Sequence, residues 1–296
     1  MNDRKYIFGK FLKDIRNKRN LSQERLAELS FINIKTISNM ENAKANFDLD
    51  NLDRLSSVLS VDLIEKYFEI MYEDSSSIEN IISSLNSKDR YEGKDQSREI
   101  NELIRIKERT SRDVVKIKAS KLIMFFRSME IKNNPALRKN LIIEALNAGG
   151  KFDFNDLNNN YYDNIDYRIL MNYAMCLDDQ QERLRICKFI EDSEVLDENS
   201  RAILYHNISN IYYVLEDNKK ALEYINMALA YNSKNPKSAV MLYTKAIILM
   251  DDKLPYEDYI KEALDISKKT DPDTYNFILH KFKNTKAKLS CSKEQL

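Results

Sequence analysis

Over the first sixty positions, apolar residues return at helical spacing. Phe8, Leu12 and Ile15 form one stripe, Leu26 and Leu29 a second, Ile34 and Ile37 a third, and Leu52, Leu55 and Leu59 a fourth. Residues with capping chemistry punctuate the stripes. Ser22 is placed to cap a helix over 23–30, Asn33 a helix over 34–42, and Asp50 or Asn51 starts the next. Only Phe31 and Ile32 separate the second helix from the third, so these two must cross steeply rather than pack as a long hairpin.

The pattern runs on through VDLIEKYFEIMY and breaks where acidic and Ser residues cluster at 73–77, which reads as a linker helix followed by a hinge over 62–77. A polar stretch from Asn86 to Ser97, containing Gly93, reads as a loop. The strongest internal signal lies at Ala202–Asn235. It comprises two amphipathic helices joined at Glu216, Asp217 and Asn218, with small Ala221 and Ala228 at the crossing and Tyr205, Ile208, Tyr212, Leu222 and Ile225 between the layers. This is the tetratricopeptide pattern, whose repeat is about 34 residues. The next unit, Ser238–Thr270, keeps the scheme, with YIKEALDISKK answering YINMALAYNSK and Ala263 answering Ala228. Looser pairs lie at Asp166–Asp192, joined near Asp178 and Asp179, and at Arg112–Asn147, broken at Asn133, Asn134 and Pro135. Asn155–Asn164 is a polar connector, and a helix from Thr274 to about Leu289 would cap the stack.

Composition agrees with an all-α protein, since four Gly and four Pro in 296 residues leave little material for the turns of a sandwich or barrel. Formal charge is zero overall, yet residues 1–44 hold ten Lys and Arg against five Asp and Glu, so a basic head precedes a mildly acidic body. Cys176, Cys187 and Cys291 are odd in number and lack a His at ligand spacing, which argues against both a disulfide framework and a metal site. No run approaches the roughly 18 apolar residues of a membrane span and no signal peptide is evident, so a cytoplasmic protein without membrane partner is expected. With two histidines, no Gly-rich phosphate loop and no Ser, His and Asp set, neither a catalytic residue nor a cofactor is expected.

Candidate chemistry sits on two faces. Lys35, Thr36, Ser38, Asn39 and Asn42 should project from the third helix, all hydrogen-bonding side chains able to reach base edges or phosphates. Gln23 opens the preceding helix, where a helix N-terminus can meet a backbone phosphate. In the repeats, the outward face of Ala202–Leu215 holds Ile203, Asn207, Asn210 and Val214, with His206 beside them. Asn172 occupies a comparable place one unit earlier, and Lys245, with Lys237 and Met241, one unit later. Asn amides offer a donor and an acceptor to an extended peptide, and Lys245 supplies a cation for a carboxylate. The same residues also fit a solvated polar face, and both readings stand at this point.

The segment RNKRNLSQERLAELSFINIKTISNMENAK resembles the helix-turn-helix of the phage-repressor (Xre and Cro) family, in register from Gly9 to about Asp62. The resemblance implies that Gln23, Lys35, Thr36, Ser38 and Asn39 face DNA and that Glu41 is structural. Phe31 and Ala43 stand where the family commonly has Gly, so a distorted turn or an altered helix end is expected. A head of this kind over 1–61, a linker over 62–77 and a repeat domain over 78–296 together resemble the RRNPP family of peptide-responsive regulators, its PlcR-like and Rgg-like members in particular. That resemblance implies a quorum-sensing homodimer on a palindromic double-stranded DNA operator, controlled by a short signalling peptide held in the repeat groove. The competing expectations are a DNA-anchored repeat scaffold or phage-type regulator controlled by a protein partner, and a decayed head kept for packing.

Overall fold

The computed structural model describes residues 2–87, 95–194, 196–231 and 238–291, and these residues form sixteen α-helices and one short 3-10 turn, with no strand among them. The loop expected around Gly93 lies outside the described residues. Two compact units divide the chain, one of residues 1–81 with 108–116 and one of 82–107 with 117–296.

The first unit is built on α1 (Asn2–Lys18), α2 (Gln23–Ser30), α3 (Ile34–Glu41), α4 (Leu49–Leu59) and α5 (Leu63–Met71). The anticipated caps form: Ser22 Oγ accepts from the Arg25 amide at 3.1 Å and Asn33 Oδ1 from the Lys35 amide at 2.8 Å. The fourth helix starts slightly earlier than expected, with Asp48 at its N-cap. The apolar stripes turn inward except at Leu29 and Ile34, which are exposed, and Phe8, Leu12, Leu26, Ile37, Met40, Leu52, Leu55 and Leu59 share one core. Phe8 anchors its aromatic end, meeting Phe47 edge-on at 4.7 Å and Tyr67 at 5.3 Å.

Residues 73–77, expected as a hinge, are instead the opening of α6 (Glu73–Ser87). The break falls one residue earlier, at Tyr72. Acidic and Ser side chains are poor in a helix interior but favourable in its first turn, where they face the positive end of the dipole and bond free amides. Asp74 does more. It is 2% exposed and accepts from Arg4 Nη2 at 2.6 Å and from Arg109 Nε at 2.7 Å, which brings the 108–116 segment into this unit.

The second unit takes in α7 (Ser97–Arg109) and α8 (Asp113–Glu130) up to and from its boundaries with the first, then α9 (Pro135–Asn147), α10 (Asn164–Met175), α11 (Gln180–Glu191), α12 (Glu198–Val214), α13 (Asn218–Tyr231), α14 (Ala239–Asp251), α15 (Glu257–Thr270) and α16 (Pro272–Cys291). Each of α10 to α15 packs against its neighbours in chain order, and α16 closes on α14 and α15 as the expected cap. Ala221, Ala228 and Ala263 are fully buried where helices cross. The buried Ser209 Oγ donates to the Ala221 carbonyl at 2.8 Å, an approach that larger side chains would prevent. The polar connector is ordered by its own amides: Asp153 N donates to Asn160 Oδ1 and Asn160 Nδ2 to Asp153 O, both at 2.8 Å. Tyr162 stacks on Tyr167 at 4.8 Å and donates to the Leu157 carbonyl, fixing the connector to α10.

Candidate functional site

The seat of α3 is electrostatic as well as apolar. Arg16 of α1 meets Glu41 with two bonds, Nε to Oε1 at 2.6 Å and Nη2 to Oε2 at 3.1 Å, while its Nη1 donates to the Leu21 carbonyl at 2.7 Å. Both side chains are almost wholly buried, and the hydrogen bond that Arg16 donates to Glu41 holds the Arg16 pKa above its ordinary value against the effect of burial. Gln23 completes the arrangement, with Nε2 donating to Glu41 Oε2 at 2.7 Å. Glu41 is therefore structural, as the resemblance implied. Gly9 adds a steric lock, because a Cβ there would stand 2.6 Å from the Met40 carbonyl oxygen and 2.8 Å from that of Glu41. Only a glycine lets α1 press this closely on the end of α3.

On that seat α3 turns Ile37 and Met40 inward and leaves Lys35 exposed and Thr36, Ser38 and Asn39 half-exposed. Those four side chains make no hydrogen bond among the described residues. Asn42 and Gln23, the other two candidates, are engaged within the unit. Asn42 ends the helix and returns Nδ2 to the Ser38 carbonyl at 2.7 Å, and Gln23 is held by Glu41. Neither expected distortion occurs at the glycine-like positions. Phe31 sits at φ 55° and ψ 35° with its amide on the Ala27 carbonyl, and Ala43 sits at φ 57°. Both corners keep the left-handed geometry with an ordinary side chain, at about 1 kcal/mol or more each. The Phe31 ring, 87% exposed, gains no packing in return.

In the repeats the candidates divide. His206 Nε2 lies 2.8 Å from Thr244 Oγ1, which joins α12 to α14, and Asn210 Nδ2 lies 3.3 Å from the same ring nitrogen within α12. Burial lowers the His206 pKa to about 4, leaving the ring neutral. Asn207 is half-exposed and makes no side-chain hydrogen bond among the described residues. Lys245 follows Thr244 on α14 and places Nζ 4.4 Å from the centre of the Tyr259 ring, a cation–π contact. Asn172 stays on its own helix, donating to the Arg168 carbonyl at 3.0 Å. Met241 is buried, while Lys237 lies outside the described residues.

Thr244 was not foreseen, nor were the links Tyr213 to Asp251 and Asn218 to Asp252, both at 2.6 Å. Nor was the cluster in which Lys188 meets Tyr224 and Glu191, whose charge and hydrogen bonds keep Lys188 protonated despite burial. A repeat of about 34 residues supplies the signal for the links between helices, since each of those partners lies 33 to 38 positions away, whereas Lys188 and Glu191 are neighbours on one helix. No His, Cys, Asp and Glu grouping suited to a metal occurs among the described residues. Cys187 is buried, which pushes its thiol up to about 12 and leaves it inert. No helix among the described residues is long and apolar enough to cross a membrane.

Comparison with known proteins follows the same division. The Helix-turn-helix family model matches residues 12–66. The control protein C.MunI of a Mycoplasma species is 39% identical over 74 residues, which is 25% of this chain and 100% of that protein. Among solved structures, Bacillus thuringiensis PlcR in complex with the peptide PapR7 and DNA is similar at TM-score 0.63 and 15% identity, over 92% of this chain and 98% of that one. The PrgX/iCF10 complex is similar at TM-score 0.51 and 17% identity, over 96% of this chain and 98% of that one. At these identities the likeness to the two structures is one of fold.

Proposed function

This chain belongs to the Helix-turn-helix family through its N-terminal unit, and on that premise we propose that it is a cytoplasmic transcription regulator of the RRNPP type. It binds a palindromic operator as a homodimer and answers to a short signalling peptide held by its repeats. The observation that carries the reading is the state of α3: four polar side chains without internal partners, Lys35, Thr36, Ser38 and Asn39, on a helix seated by the buried Arg16–Glu41 pair. The PlcR structure, which shares the fold across both parts of the chain, was solved with a peptide and DNA. That supports DNA for the head and a peptide for the repeats. Two heads would need half-sites about 34–36 Å apart, or a multiple, to dock together. A peptide can shift the DNA-bound population only by its different affinity for the two states.

A mobility-shift titration with DNA from upstream of its own operon, with and without candidate peptides, tests this reading. The Lys35→Ala, Asn39→Ala variant should lose specific binding, at about 1–3 kcal/mol for each base contact removed, with its fold intact. The Asn207→Ala, Asn210→Ala variant should bind DNA and lose the peptide response. The attachment of Asn210 to His206, which itself meets Thr244, favours a second reading, in which this face of α12 serves to join repeats and a protein partner controls the head. A normal peptide response in that variant would move the groove assignment elsewhere.

A further inference from the structure

Apart from the face of α3, the first unit encloses a pocket of about 380 Å³, all of whose lining residues belong to that unit. Two kinds of chemistry meet in it. Phe47, Tyr67 and Tyr72 give aromatic surface, and Arg4, Lys5 and Arg112 bring cations to the same space. The carboxylate of Asp74 also lines the pocket but is already taken, clamped between Arg4 and Arg109. Burial alone would raise its pKa, yet the hydrogen bonds and charges of the two guanidinium groups hold it below the ordinary value, so it remains an anion at neutral pH.

Lys5 and Arg112 are differently placed. Lys5 Nζ donates to Asn46 Oδ1 at 2.6 Å, and Arg112 Nη1 donates to Ser75 Oγ at 2.9 Å, so the hydrogen-bond partners of both are neutral. The Arg112 guanidinium also lies 4.6 Å from the centre of the Tyr72 ring, and it keeps further N–H groups for a second acceptor. Neither cation has an acidic partner among the described residues. Tyr67 is protonated at any physiological pH because burial raises its pKa, so the aromatic side adds no opposing charge. A concave space of this size with an apolar wall and a few convergent charges is the usual form of a small-molecule site.

We infer that this pocket binds a small aromatic anion, with its ring against Tyr67 and Tyr72 and its phosphate or carboxylate between Lys5 and Arg112. The pocket is lined from α1, the loop after α3, the end of α5 and residues 109–112, so such a ligand would join segments far apart in sequence. It would stabilise the unit that carries α3 by an amount that grows with the logarithm of ligand concentration above Kd. The site would give the regulator a chemical input separate from its repeats.

Calorimetric titration of the full chain with phenyl phosphate, benzoate, adenosine monophosphate and inorganic phosphate tests the inference. Saturable one-to-one binding of at least one aromatic anion is expected, with inorganic phosphate weaker by about tenfold or more. A Lys5→Gln, Arg112→Gln variant with unchanged far-ultraviolet circular dichroism should bind that anion about tenfold more weakly or worse. If the double variant does not fold, Lys5→Gln alone should show a smaller loss in the same direction. The Asn207→Ala, Asn210→Ala variant should bind it normally, which separates this site from the repeat groove. Absence of binding by all three aromatic anions at millimolar concentration would overturn the inference. So would equal affinity for inorganic phosphate, or binding indifferent to Lys5 and Arg112.

Discussion

The face of α3 and the face of α12 are both polar helix surfaces, but they differ in what their side chains already hold. On α3 the hydrogen bonds are made behind the helix, by Arg16, Glu41 and Gln23, and the outward Lys35, Thr36, Ser38 and Asn39 stay free of internal partners. On α12 outward side chains reach the next repeat, through His206 to Thr244 and through Tyr213 to Asp251. The first unit has one closed core, so its polar surface can be kept for a ligand. A stack of repeats has a core that is open at every step, and its polar residues must help hold consecutive units in register.

That contrast can be broken by experiment, and the largest effect is expected at Glu41. In Glu41→Ala the Arg16 guanidinium is left buried without its counter-charge, which should destabilise the first unit by about 3–5 kcal/mol. Hydrogen exchange should then show lost protection across α1 to α4 and unchanged protection in α12 to α15. Equal loss in both would mean that the two parts do not differ as described. A middle-sized effect belongs to His206. Its folded pKa is depressed from 6.5 to about 4, so the unfolded chain takes up the proton first as the medium is acidified. The stabilisation due to the neutral ring is complete above pH 6.5 and is lost progressively as pH falls toward 4, at no more than about 1.4 kcal/mol per pH unit. Urea midpoints of the wild type should therefore drop between pH 7 and pH 5, and His206→Gln should flatten that slope. An unchanged slope would remove His206 from the joint between repeats. The smallest effect is a gain. Phe31→Gly relieves a left-handed residue whose side chain packs on nothing, and should stabilise the first unit by about 0.5–1 kcal/mol after the added freedom of the unfolded chain is counted. A loss in thermal unfolding temperature would show that the exposed ring has a contact after all.

What could be read from the sequence followed the range of the forces involved. Ser22 and Asn33 announce α2 and α3 because a cap acts over three residues, and Ala228 and Ala263 announce helix crossings because the repeat returns one 35 positions after the other. Glu73–Ser77 misled because the same side chains suit a loop and a helix start, and the deciding partners, Arg4 and Arg109, lie 70 and 35 positions from Asp74. The outward face of α3 was legible as a face, since helical spacing alone defines it. The engagement of Gln23 by Glu41, and of His206 by Thr244, was not, because each depends on a neighbour set by packing. Residues 108–116 joined the first unit for the same reason, and the pocket they help to line had no sequence signal at all.

Gly9 carries a consequence for redesign. The position of α3 is fixed from behind, by a missing side chain on α1, by the buried Glu41 and by Ile37 and Met40, and by none of the residues it presents to solvent. Positions 35, 36, 38 and 39 are therefore interchangeable letters on a fixed typeface. We expect libraries varied at these four sites to keep folding while their preference among DNA sequences changes, so that new specificities can be selected without rebuilding the scaffold that displays them.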